Sequence, residues 1–100
     1  MDKLRAIQIF VAIADSGSLT AAARVLEASL PTVVRSLAAL EAHLGVRLLQ
    51  RSTRRIALTQ EGQRYLENCR QVLATMALGE ATVHRRGYRQ PRIQPYRAGG

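Results

Sequence analysis

The chain is poor in the residues that staple, ligate or react. It has one cysteine, no tryptophan and four aromatic side chains among its one hundred residues. Cys69, alone, cannot close an internal disulfide, and a lone cysteine is more often a small buried hydrophobe than a redox centre. The two histidines, His43 and His84, lie far apart and Cys69 has no partner at ligand spacing, so no metal site is expected. There is no glycine-rich phosphate loop, no nucleophile elbow and no paired-carboxylate arrangement. Asp15, Glu41 and Glu61 read individually as cap or surface residues. No enzymatic activity and no cofactor are expected. No apolar run reaches the roughly 18 residues a membrane helix needs. The apolar stretch near the N-terminus has a superficial likeness to a signal peptide, but Asp2 and Asp15 flank it. It reads as a helix of a cytoplasmic protein.

Acidic residues are scarce as well, seven against fifteen basic, for a net charge of +8. The excess is unevenly placed. Residues 84–100 hold Arg85, Arg86, Arg89, Arg92 and Arg97 and no acid. The basicity favours a polyanionic partner without locating the surface that meets it. Hydrophobic residues make up 47% of the chain, enough for one small core. In this size class oligomerisation is a common supplement to such a core.

Leu4, Ile7, Phe10, Val11 and Ala14 follow helical spacing, with Asp2 as N-cap and a stop at Gly17. Ile9, Ala12 and Ile13 make this helix apolar over more than one face, as suits packing on two neighbours. Ser18 caps a second helix with Leu19, Ala22, Ala23 and Leu26 inward. Glu27-Ala28 turns the chain, and Ser29 caps a third helix with Pro31 in its first turn. Val33, Leu37, Leu40 and Leu44 form its buried stripe, and Gly45 ends it. Val46–Leu49 and Ile56–Leu58 read as short strands around a tip that carries arginines. Thr59 caps a last helix to about Leu78. Along it Leu66, Cys69, Leu73 and Met76 step by 3, 4 and 3, a heptad-like seam. From Gly87 onward, Pro91, Pro95 and the arginines suggest a disordered tail.

The pattern predicts a mainly α fold, a winged helix-turn-helix with a three-helix core and a short two-stranded wing, followed by a long linker or dimerisation helix. The expected division is 1–58 for the DNA-binding domain, 59–79 for the linker helix and 80–100 for a basic disordered tail. Four motifs in order carry a closer likeness: F-x-x-I-A-D-S-G-S-L-T-A-A-A at Phe10–Ala23, L-x-x-S-x-P-x-V-x-R-x-L-x-x-L-E at Leu26–Glu41, L-G-V-x-L-x-x-R at Leu44–Arg51, and L-T-x-E-G at Leu58–Gly62. The stretch from about Leu4 to Val72 resembles the DNA-binding domain of LysR-type transcriptional regulators. The resemblance implies a bacterial promoter-binding homodimer joined through the helix after Thr59. No counterpart of the family's effector-binding domain is expected in this chain, and therefore no small-molecule effector. The family usually has glutamine where Leu30 stands and serine where Val34 stands. Polar or basic residues are common at Ala38 and Ala39, and phenylalanine is usual at Leu49.

At about 100° per residue, the buried stripe of the third helix leaves Pro31, Thr32, Arg35, Ala38 and Ala39 outward and Val34 at the edge. Arg35 can form a bidentate contact with guanine, or stand as a solvated charge. Thr32 can hydrogen-bond a base, and Pro31 and Val34 can pack on thymine methyls; Leu30 lies beside them at the helix start. Ser18, Thr20 and Ser29 can cap helices, and capped N-termini also suit phosphates. Arg51, Arg54 and Arg55 on the wing suit backbone or minor groove, or make a solvated turn. The seam of Leu66, Cys69, Leu73 and Met76 can face a second copy, or the helix can pack back on the first helix of its own chain through Tyr65, Cys69, Val72 and Met76. Three functions compete: a sequence-specific regulator bound to double-stranded DNA, an antagonist that heterodimerises with related regulators, and a nonspecific nucleic-acid binder acting through its arginine-rich end.

Overall fold

The computed structural model describes residues 1–51 and 56–86, with the backbone alone for 51 and 84–86. In chain order it contains α1 (Lys3–Ser16), α2 (Leu19–Leu26), α3 (Leu30–Leu44), β1 (Leu49–Arg51), β2 (Ile56–Leu58) and α4 (Gln60–Arg86). This is the expected winged helix-turn-helix followed by a long helix.

The helix starts follow from local chemistry. Asp2 accepts the Arg5 N–H at 3.1 Å, Ser18 that of Ala21 at 3.1 Å, and Ser29 that of Thr32 at 3.2 Å. Each satisfies an amide that a helix N-terminus otherwise leaves without an acceptor. At the other ends Gly17 and Gly45 adopt left-handed backbone, φ 72° and 74°, and return their N–H groups to Ile13 and Glu41 carbonyls. Glu27 ends α2 in the same conformation, φ 55°, where a side chain is less at ease.

The core lies where α1 meets α2, α3 and α4. Its buried residues include Ile9, Phe10 and Ile13 of α1, Ala22 and Ala23 of α2, and Val33, Leu37 and Leu40 of α3. Leu48, Leu49 and Cys69 complete it. The two alanines let α2 sit close. The α1 stripe differs from the expected one. Ala6, Ile7, Ile9, Phe10 and Ile13 are buried, Val11 and Ala14 are half-buried, and Leu4 is exposed. Contacts with three other helices turn a broad arc of α1 inward, and Leu4 sits in its first turn, toward the edge of that contact.

The wing is an antiparallel pair with Leu49 opposite Leu58 and Arg51 opposite Ile56. Its first strand begins at Leu49, three residues later than the sequence pattern suggests. The preceding residues turn back against α3 and α4, and their backbone bonds go there instead of to a strand. Residues 52–55, with Arg54 and Arg55, lie outside the described residues, as does 87–100.

The last helix continues through Gly79 to Arg86, beyond the expected stop near Leu78. Gly79 is not in a left-handed conformation, so it does not act as a cap. Ala77, Leu78, Glu80 and Ala81 around it are good helix formers, and one glycine costs a helix only about 1 kcal/mol. The Phe10 ring meets that of Tyr65 at a tilt of 38°, ring centres 5.9 Å apart, and Asp15 pairs with Arg70 at 2.7 Å. The two helices therefore run side by side in the same direction. Because α1 ends at Ser16, α4 outruns it a turn beyond Arg70.

Candidate nucleic-acid interface

On α3 one face is committed to the core and the other is free. Pro31, Thr32, Arg35, Ala38 and Ala39 are exposed, Leu30 is largely so, and Val34 is half-buried at the edge, as the helical spacing predicts. Arg35 projects from this surface, and among the described residues no acidic side chain pairs with it. A guanidinium in that setting keeps its donors for a ligand. Thr32 is less free, because its hydroxyl lies 2.8 Å from that of Ser29. Two side chains thus share the N-terminal turn of α3.

The same geometry recurs at α2. Ser18 is half-buried and spends its oxygen on the cap, while Thr20 is exposed in the first turn of the helix. Ser18 and Ser29 each open one helix of the packed α2–α3 pair, where positive helix dipole and free amides favour anions. Thr20 caps nothing. Of the wing arginines, Arg51 closes β1; Arg54 and Arg55 are outside the described residues.

Glu41 is the residue supporting this surface that sequence reasoning misses. It is buried, 8% exposed, and accepts the N–H groups of Leu48 at 2.7 Å and Leu49 at 3.2 Å. Arg47 approaches it at 4.0 Å. It is therefore a buried brace between α3 and the root of the wing rather than a surface carboxylate. The signal was present: Glu41 lies four residues after Leu37, on the apolar stripe itself.

On α4 the proposed seam divides. Cys69 is 1% exposed inside the chain's own core, so it is not available to a partner. Burial pushes its thiol pKa up, partly offset by a hydrogen bond with Tyr65, and burial likewise raises the Tyr65 phenol. Leu66 and Leu73 are half-buried against the same core. Met76 is 40% exposed, and Val72 and Val83 are exposed on the stretch beyond α1. Among the described residues no helix is long and apolar enough to cross a membrane, and no group of three or more acidic, histidine or cysteine side chains is placed to hold a metal ion.

A capped three-helix core with a two-stranded wing and an exposed third helix defines a winged helix-turn-helix DNA-binding domain. Residues 4–63 match the family described as bacterial regulatory helix-turn-helix protein, lysR family, and the chain belongs to that family. The HTH-type transcriptional repressor PA14_22550 of Pseudomonas aeruginosa (strain UCBPP-PA14) is 43% identical over 83% of this chain and 26% of its own length. The HTH-type transcriptional regulator TcbR of Pseudomonas sp. (strain P51) is 45% identical over 71% of this chain and 24% of its own. The chain thus spans about a quarter of the curated relatives it matches. Among solved structures, the CbnR DNA-binding domain in complex with DNA superposes with TM-score 0.76 at 39% identity, covering 84% of this chain and 95% of that one. The BenM DNA-binding domain on the catB site 1 DNA gives 0.83 at 29% identity, covering 90% and 100%.

Proposed function

We propose that this chain binds specific sites in double-stranded DNA as a homodimer and regulates transcription in the bacterial cytoplasm. The outward face of α3 carries the reading: Arg35 stands exposed there beside Thr32 while the opposite face is locked into the core. In this reading Arg35 meets a base edge, and Leu30, Pro31 and Val34 pack against apolar base surface. Ser18, Thr20, Ser29 and Thr32 serve the phosphates at the two helix N-termini. Arg51, Arg54 and Arg55 bring positive charge to the adjoining backbone or minor groove. The second copy docks along the exposed face of α4 through Val72, Met76, Gly79 and Val83, a revision of the sequence-derived seam that keeps only Met76. An apolar helix face left in water is a poor solution for a domain this small.

The heterodimerising antagonist has one observation in its favour. Leu30, Pro31, Ala38 and Ala39 leave the α3 surface with few hydrogen-bonding groups, while α4 still offers an apolar face. Duplexes selected from random sequence by the protein decide between the two. Arg35→Ala should lower affinity for a selected duplex by about 1–3 kcal/mol and relax preference at one or two base pairs. Circular dichroism must show the variant still helical. If it binds selected and random DNA as the parent does, α3 is not reading bases and the antagonist reading moves ahead.

A further inference from the structure

We propose that Glu41, Thr59 and Gly62 form a rigid corner that fixes the angle between α3 and α4, and with it the spacing of the two half-sites that a dimer reads. The proposal rests on the dimeric DNA-binding reading and adds what sets its geometry. The centre of the corner is the Leu48 residue, wholly buried and held from both sides. Its N–H donates to the Glu41 carboxylate of α3 at 2.7 Å. Its carbonyl accepts the N–H of Thr59, the residue that opens α4, at 3.0 Å. The Thr59 hydroxyl donates to the Arg47 carbonyl at 2.6 Å and accepts the Gly62 N–H at 2.9 Å. One short segment is thus bonded both to α3, through Glu41, and to the start of α4, through Thr59.

Gly62 shows how closely α4 is seated. A Cβ there would collide with the Leu48 carbonyl oxygen and stand 3.0 Å from its carbon. The colliding atoms are backbone, which cannot swing aside as a side-chain tip can. Gly62 has no left-handed backbone to explain it, and glycine inside a helix is unfavourable relative to alanine. What glycine supplies here is room for the approach.

The angle matters because α4 is a lever. From Gly62 to Met76 the axis runs about 21 Å at ~1.5 Å per residue. A tilt of about 10° at the root moves the Met76 region by roughly 4 Å, similar to the ~3.4 Å that one base pair adds along a duplex. A base pair also turns the second half-site by about 35° around the axis, so a rigid dimer tolerates few spacings.

The test uses the full chain, with a duplex it selects from random sequence, the two half-sites then moved apart or together one base pair at a time. A single half-site duplex is the control. The parent should lose about tenfold or more in affinity per base pair away from its optimum, roughly 1.4 kcal/mol. Gly62→Ala and Thr59→Val attack the corner from different sides. Each should shift the optimum by at least one base pair or flatten the profile to within about threefold, while half-site affinity stays within about threefold of the parent. Thr59→Ser keeps the hydroxyl and should restore the parent profile. Variants that keep the parent's optimum and steepness overturn the proposal. So does an equal loss on half-site and spaced duplexes, which would make the corner a support of the fold alone. A parent that sediments as a monomer, or shows no spacing optimum, removes the dimeric reading itself and the corner's role with it.

Discussion

The two halves of α4 share an apolar periodicity and meet opposite surroundings. Cys69 and Met76 are one heptad apart, turned by only about 20° from one another. Cys69 is sealed in the core beside Tyr65, Leu66 and Leu73, whereas Met76 is open to solvent. The difference comes from α1, which lies alongside α4 as far as Asp15 and Arg70 and then ends. An apolar spacing therefore marks a face that seeks cover without saying what covers it. In the first half the chain supplies the cover itself. In the second half the face stays open to solvent.

The largest test of this contrast is at the root. Phe10 is fully buried and its ring meets Tyr65, so Phe10→Ala should cost about 3–5 kcal/mol of stability in urea unfolding. A loss below about 1 kcal/mol would mean that α4 is not anchored through this contact. Next comes the open half. Met76→Glu should weaken self-association tenfold or more, about 1.4 kcal/mol, because a carboxylate would have to be desolvated between the copies. Sedimentation reads the association, and unfolding at concentrations where both proteins are monomeric should give midpoints that agree. A variant that dimerises as the parent does would place the interface elsewhere.

A gentler test distinguishes the halves by pH. The raised pKa values of Cys69 and Tyr65 mean that the folded chain holds these protons more tightly than the unfolded chain, whose ordinary values lie near 9.0 and 10.0. Their contribution is complete below the unfolded values and declines as pH rises toward the folded ones. Stability should therefore fall gradually above about pH 9. Cys69→Ala should remove the thiol part of that alkaline slope; an unchanged slope would assign it to other groups. The smallest effect belongs to the Asp15–Arg70 pair. Both side chains are about half exposed, so water and salt screen them and Asp15→Asn should cost at most about 1 kcal/mol. A larger loss in thermal unfolding would show that the pair, more than the buried contacts, sets where α1 meets α4.

The sequence alone was sufficient for whatever depends on neighbours in the chain. The caps at Asp2, Ser18 and Ser29, the stops at Gly17 and Gly45, the stripe of α3 and its outward Arg35 all arise within one or two helical turns. Each is a matter of local hydrogen bonding or of 3.6-residue geometry. The motifs that run from Phe10 to Gly62 carried the family on the same footing. Three features were decided only in the tertiary structure. The fate of the α4 face turned on where α1 ends, a fact of packing between segments some fifty residues apart. The burial of Glu41 turned on Leu48 and Leu49 folding back over it, since a carboxylate on an apolar stripe is tolerable only when amides meet it. The need for glycine at Gly62 turned on a carbonyl from the far side of the wing root, which no local pattern could announce. Local rules placed the helices; the angles between them were set by contacts that close only when the whole chain is folded.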